Sequence, residues 1–121
     1  MKNSKKFIKM SLVYLPQRPM MKDSTGAWIP KWDLSSAGEY GTIVPVLSSQ
    51  AKPFNSAPII AEIKAALENY SDDDYIIAIG NPALLSWCVA IAAWYNGGFT
   101  RMLQWSSIDK KYLVIEANLG I

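Results

Sequence analysis

Histidine is missing from all 121 residues. That absence removes Ser–His and Cys–His nucleophile systems, histidine general bases and histidine metal ligands together. Cysteine occurs once, as Cys88 inside an apolar stretch. One cysteine makes no intrachain disulfide and no zinc site, and nothing implies an oxidising compartment. A lone cysteine in such a setting reads as a small buried hydrophobe. There is no glycine-rich phosphate motif, no internal repeat and no low-complexity tract. Charge is absent from Tyr75 through Thr100. That run is long enough to span a bilayer, but Gly80-Asn81-Pro82 divides it. No membrane association is expected.

What is present is apolar and aromatic. Half of the residues are hydrophobic, with 5 Trp and 6 Tyr. That supplies one core, so residues 1–121 are read as a single domain. The net charge of +2 is unevenly spread. Residues 1–35 carry seven Lys/Arg against two Asp, and residues 36–121 carry five against eight Asp/Glu. Residues 1–6, with Lys2, Lys5 and Lys6, read as a basic arm. Lys9, Pro16 and Arg18 argue against a signal peptide.

The patterning predicts an α/β fold: a small mixed sheet, a right-handed βαβ unit, two helices and a C-terminal antiparallel hairpin. Residues 7–15 read as the first strand. Residues 16–38 contain two short extended pieces around the turn Asp23-Ser24-Thr25-Gly26. Pro16, Pro19 and Pro30 confine any strand there to an edge. Ser36-x-x-Glu39 fits a capping box limited to one turn by Gly38 and Gly41. Gly41 to Leu47 is the second strand, with Pro45 implying an edge or a bulge. A helix follows, capped by Asn55 or Ser56, with Ile59, Ile60, Ile63, Leu67 and Tyr70 on one stripe. Tyr75 to Ile79 lacks alternation, as a strand buried on both faces should. Strand, helix and strand in this spacing predict parallel strands and a right-handed crossover. A second helix runs from Pro82 to Asn96 and stops at Gly97-Gly98. Alternation from Thr100 to Trp105 and the run Tyr112 to Ala117, joined near Ser107 to Lys110, predict the hairpin.

The second helix is apolar nearly all round. Its small residues Ala83, Ser86, Ala90 and Ala93 are expected against the sheet. Its bulky residues, including Trp87, Ile91, Trp94 and Tyr95, then need a second cover. That cover is either the segment 16–38, with Trp28 and Trp32, or another protein: a second copy or a host partner. These six residues form the candidate interface.

Three further candidates carry chemistry. The turn Gly80-Asn81-Pro82 joins a strand's carboxyl end to a helix N-terminus, where ligands and anions collect. Ser48 and Ser49 would lie at the same edge. The plain alternative is a connecting turn capped by Asn81. Asp72-Asp73-Asp74 could hold a divalent cation or be solvated turn acids, the reading adopted here, so no metal site is assigned. Lys5, Lys6, Arg101, Trp105, Lys110, Lys111 and Tyr112 combine cations with rings, as single-stranded nucleic acid requires.

Asp73-Asp74-Tyr75 through Gly80-Asn81-Pro82-Ala83-Leu84, followed by Asn96-Gly97-Gly98, Leu103-x-Trp105 and Tyr112-Leu113-Val114, resembles a family of small bacteriophage accessory proteins. The pattern has Gly-Asp-Pro where this chain has Gly80-Asn81-Pro82, so a role for an acid at that place does not transfer. The resemblance implies a viral protein acting in the host cytoplasm and assigns no chemistry. Together these readings predict a non-enzymatic binding protein without a cofactor, which self-associates or binds a host protein. The alternatives are a single-stranded nucleic-acid binder using the arm and hairpin, and a nucleotide or phosphate binder at the Gly80 turn.

Overall fold

The computed structural model describes residues 10–121. Seven strands and two helices follow one another as β1 (Leu12–Gln17), β2 (Met20–Lys22), β3 (Trp28–Pro30), β4 (Thr42–Leu47), α1 (Ser56–Leu67), β5 (Tyr75–Ile77), α2 (Pro82–Tyr95), β6 (Phe99–Ser106) and β7 (Lys111–Asn118), with a 3-10 turn at Ser35–Glu39 before β4. Five strands form one sheet in the order β4-β1-β5-β6-β7, and β2 and β3 form a separate ribbon. Pairing is parallel from β4 through β6 and antiparallel between β6 and β7. The α/β class, the mixed sheet, the two helices and the C-terminal hairpin are as the sequence predicts.

Handedness explains the layers. The connections β4-α1-β5 and β5-α2-β6 step across the sheet in one direction. Right-handed crossovers therefore place both helices on the same face. The connection from β1 to β4 steps the other way and must cover the opposite face. The two cores match this arrangement. Tyr14, Ile63, Leu67, Ile76, Leu84 and Cys88 pack together on the helix side. Val13, Leu15, Leu34, Ala37, Ile77 and Leu103 pack on the other. β1 and β5 contribute to both, which is why neither shows alternation.

Several boundaries differ from the sequence reading. Residues 7–9 of the predicted first strand lie outside the described residues, and β1 extends instead through Pro16 to Gln17. Pro16 sits in a central strand rather than at an edge. The ladder with β5 ends at Tyr14–Ile76, before Pro16, while pairing with β4 continues to Gln17–Leu47. β5 stops at Ile77, where the Ala78 amide still donates to Leu103 but the Ile79 amide turns back to the Ile77 carbonyl. Pro45 lies on the edge strand β4, as expected.

The orientation of α2 is the main correction. Leu84, Cys88 and Ile91 face the sheet, while the small Ser86 and Ala90 face solvent. Bulky side chains bury more area in the core than small ones, so this orientation gains more from the hydrophobic effect. The segment 16–38 lies across the sheet from α2, with Leu34 and Ala37 in the opposite core. It therefore cannot cover the helix. Helix α1 packs beside α2, and the Tyr95 hydroxyl donates to the Lys64 carbonyl at 3.1 Å. Among the described residues, no helix is long and apolar enough to cross a membrane.

At the amino ends of the strands, Asp74 is fully buried and not a solvated turn acid. Its carboxylate accepts the Leu12 amide and the Ser71 amide, each at 3.0 Å. That joins the start of β1 to the turn before β5. Close by, the backbone of Gly41 passes so near Ser11 that a Cβ would overlap the Ser11 carbonyl. Asp74→Ala leaves two part-buried amides without their acceptor and should cost about 2–4 kcal/mol. Urea denaturation checks this: a cost below about 1 kcal/mol would mean that water or a neighbour replaces the carboxylate.

Candidate binding site

In a parallel α/β sheet, ligands collect beyond the carboxyl ends of strands where neighbouring connections leave on opposite faces. Here β1 leaves on the face away from the helices, while its neighbours β4 and β5 leave on the helix side. The crevice beside β1 is closed by the protein itself. The Gln17 side chain donates to the carbonyls of Ser48 and Ala51 at 2.9 and 2.7 Å. The Ser48 hydroxyl accepts the Gln50 amide at 3.1 Å, and Ser49 is exposed. Gly80 turns with φ +103° beside the Gln17 carbonyl. The Asn81 side chain caps α2, accepting the amides of Ala83 and Leu84 at 2.9 and 3.2 Å. It thereby occupies donors that an anion would use.

The open cleft lies one step along the same edge, on the face opposite the helices. It encloses about 410 Å³ between the carboxyl ends of β5 and β6 and the chain that precedes the 3-10 turn. Ile77, Ala78, Ile79 and Leu34 give it an apolar lining, with Trp32, Trp105 and Tyr112 among its walls. The size suits one small molecule or one protruding side chain group. Trp105 and Tyr112 are direct cross-strand partners. Their rings meet edge to face at 5.2 Å, an attractive aromatic geometry. Trp105 is 48% and Trp32 51% exposed, so both indoles can reach a ligand. Lys31 lies 5.3 Å over the Trp32 ring.

Two ionisable groups line this cleft, Asp33 and Tyr112. The Ser35 amide donates to Asp33 at 2.9 Å. That bond, with a contribution from the Ser35 side chain, holds the Asp33 carboxyl below its ordinary range. Burial, helped by the charge of Asp33, pushes the Tyr112 phenol up. At neutral pH the pair is therefore a carboxylate and a neutral phenol, and neither is poised to exchange a proton. The cleft offers aromatic faces, one anion and the Gln104 amide, a set suited to holding a ligand.

The remaining sequence candidates are dispersed. Lys5 and Lys6 lie outside the described residues. Arg101 is committed to Glu116 at 2.9 Å and lies 5.1 Å over the Tyr75 ring. Lys110 and Lys111 are exposed beside the turn of the hairpin. Tyr112 is only 7% exposed, so of that group Trp105 alone presents a ring to solvent. In the interface set, Ile91 is in the helix-side core and Trp87 and Tyr95 pack partly against it. Trp28, Trp32 and Trp94 are open to solvent. The three aspartates separate: Asp72 accepts the Asn96 side-chain amide at 2.8 Å, Asp73 is exposed and Asp74 is buried. Among the described residues no cluster of three metal-ligating side chains is assembled. Sequence reasoning placed Trp32 in an interface and Trp105 and Tyr112 on a nucleic-acid surface, and the structure joins them. It missed Asp33 and Gln17. The only local signal was Asp33 two residues before Ser35, an Asx-turn spacing.

A small α/β protein thus carries an aromatic cleft beyond the carboxyl ends of β5 and β6. Residues 11–119 match the family model of the Phage Pam3 gp32-like protein, and the chain belongs to that family. This agrees with the phage resemblance in the sequence and makes the chain a phage protein. Comparison with curated proteins and with solved structures returned no match.

Cys88 is not a competing nucleophile. It is 1% exposed, and burial pushes its thiol up to about 12. Thiol reagents should therefore leave the folded protein unmodified at neutral pH and label it once unfolded. The raised pKa favours the protonated thiol in the fold. Its contribution to stability is complete below the unfolded thiol's pKa and fades as pH rises towards about 12. Rapid labelling of native protein, timed by mass spectrometry, would contradict this placement.

Proposed function

We propose that this phage protein is a non-enzymatic accessory protein that binds a partner through the cleft between Trp32 and Trp105. The observation that carries the reading is the composition of the cleft. Three aromatic side chains and an apolar lining surround it, and its two ionisable groups are both held in their resting protonation states. Aromatic anchors in a preformed pocket are what high-affinity recognition uses. Acid–base catalysis favours a group tuned towards the operating pH, and the shifts of Asp33 and Tyr112 both run away from neutrality.

Two alternatives receive less support. A nucleic-acid surface would need several cations beside stacking rings. Here Arg101 is neutralised by Glu116, and the Asp33 carboxylate repels a phosphate backbone. A phosphate site at the Gly80 turn would need the α2 amides that Asn81 already engages.

The test compares tagged wild-type chain with a Trp32→Ala/Trp105→Ala variant, each recovered from phage-infected cells. Both positions are half-exposed, and the loss of the Trp105–Tyr112 ring pair should cost about 1–3 kcal/mol, so folding of the variant is checked by circular dichroism. The wild type should retain a partner, identified by mass spectrometry, that the variant loses, with binding weakened by about 100-fold or more for two lost aromatic anchors. Equal retention by a folded variant would refute the cleft as the recognition site.

A further inference from the structure

Four tryptophans are open to solvent, and three of them already carry a lysine. Lys22 lies 5.3 Å over Trp28, Lys31 5.3 Å over Trp32 and Lys64 5.5 Å over Trp94. An indole face attracts cations through its quadrupole. Trp105 is 48% exposed, yet no cation of the described residues lies over its ring. Its face is open to a cation from outside, and it forms a wall of the cleft.

The charge at the cleft has the matching sign. Asp33 is the one charged residue among those described that line it. Arg18 shares a shallower adjoining hollow with Asp33, but no ion pair joins the two. A carboxylate beside an uncovered indole favours a cation and repels an anion.

The gap at the end of β5 adds neutral acceptors. The Ala78 amide donates to the Leu103 carbonyl at 2.9 Å, the last bond of the β5–β6 ladder. The next bond would run from the Trp105 amide to the Ala78 carbonyl. Among the described residues it is not made, because the chain leaves the sheet after Ile77. Polar groups of alternate residues in β6 turn towards β5, and Trp105 follows Leu103 by two. The carbonyls of Ala78 and Trp105 therefore face this gap, and both residues line the cleft.

This set of groups suits a guanidinium better than an ammonium. A guanidinium is flat, so it stacks on an indole while its five N–H donors reach acceptors around its rim. It is also more weakly hydrated, so an apolar lining such as Ile77 and Ile79 opposes its entry less. We propose that the cleft receives an arginine side chain of the partner protein, stacked on Trp105 and paired with the Asp33 carboxylate. This rests on the partner reading above and names the group that the partner inserts.

The probes are Nα-acetyl-arginine N-methylamide and its citrulline and lysine counterparts, titrated into the full chain and followed by the indole resonances. The arginine probe should shift Trp105 and Trp32 saturably, and bind at least about tenfold more tightly than the neutral citrulline probe. Asp33→Asn keeps an acceptor for the Ser35 amide, should leave the fold intact and should erase that preference. Equal binding of the citrulline probe, tighter binding of the lysine probe, or no shift with any probe would overturn the proposal. So would shifts confined to Trp28 or Trp94. Partner recovery from infected cells separates this inference from the reading beneath it. Asp33→Asn should lose the partner, as Trp32→Ala/Trp105→Ala does. Retention by a folded Asp33→Asn chain, with loss by the tryptophan variant, would overturn the arginine and leave the cleft. Retention by both would remove the cleft as well.

Discussion

The position of β1 is the constraint on which the rest of the structure depends. It is an interior strand with parallel neighbours on both sides, and its onward connection leaves on the face opposite to the one taken by the connections from β4 and β5. The buried Asp74 carboxylate anchors that arrangement at the amino ends, holding the Leu12 amide of β1 and the Ser71 turn before β5 in one network. A buried carboxylate is tolerated when hydrogen bonds to its charged form replace the water it has lost. Gln17 does a related task at the other end of β1, tying it to the loop after β4. One strand is thus fastened at both ends by side chains reaching backbone groups.

From this placement the two faces acquire different chemistry. The helix face is sealed by α1 and α2, which turn Ile59, Ile63, Leu67, Leu84, Cys88 and Ile91 inward. The β2–β3 ribbon stays largely exposed, and the other face is covered by the short segment around the 3-10 turn, which cannot seal the whole sheet. Leu34 and Ala37 plug its centre, and the part beyond them, over the carboxyl ends of β5 and β6, stays open as the cleft. The aromatic side chains that line the opening come from segments distant in sequence, Trp32 before the 3-10 turn and the Trp105–Tyr112 pair on the hairpin. The cleft therefore depends on the correct return of the chain from β1 to β4.

Much of the fold was legible because the signals were local. The α1 stripe, the turn at Asp23 to Gly26, the Asn81-Pro82 helix start and the hairpin all follow from short-range patterning. The face that α2 would bury was not legible. Its amphipathicity is weak, so packing against the sheet and α1, which no local pattern reports, decided it. Asp74 read as a surface acid because its sequence neighbours are acids, and only the fold brings the Leu12 amide to it. The cleft was half legible. Its aromatic residues stood out as candidates, but were distributed between two different surfaces. Which connection crosses to which face is a property of the whole topology, so the Asx-turn spacing of Asp33 and Ser35 marked a turn but not its place beside the cleft.

The central claim is that recognition takes place at the Trp32–Trp105 cleft and not on α2. The chain's 5 tryptophans, Trp28, Trp32, Trp87, Trp94 and Trp105, supply separate indole N–H probes for nuclear magnetic resonance. On titration with the purified partner recovered from infected cells, the Trp32 and Trp105 resonances should shift together while Trp94 stays fixed. A shift of Trp94 and Trp87 with Trp32 and Trp105 unmoved would contradict the account and return the binding surface to the helix.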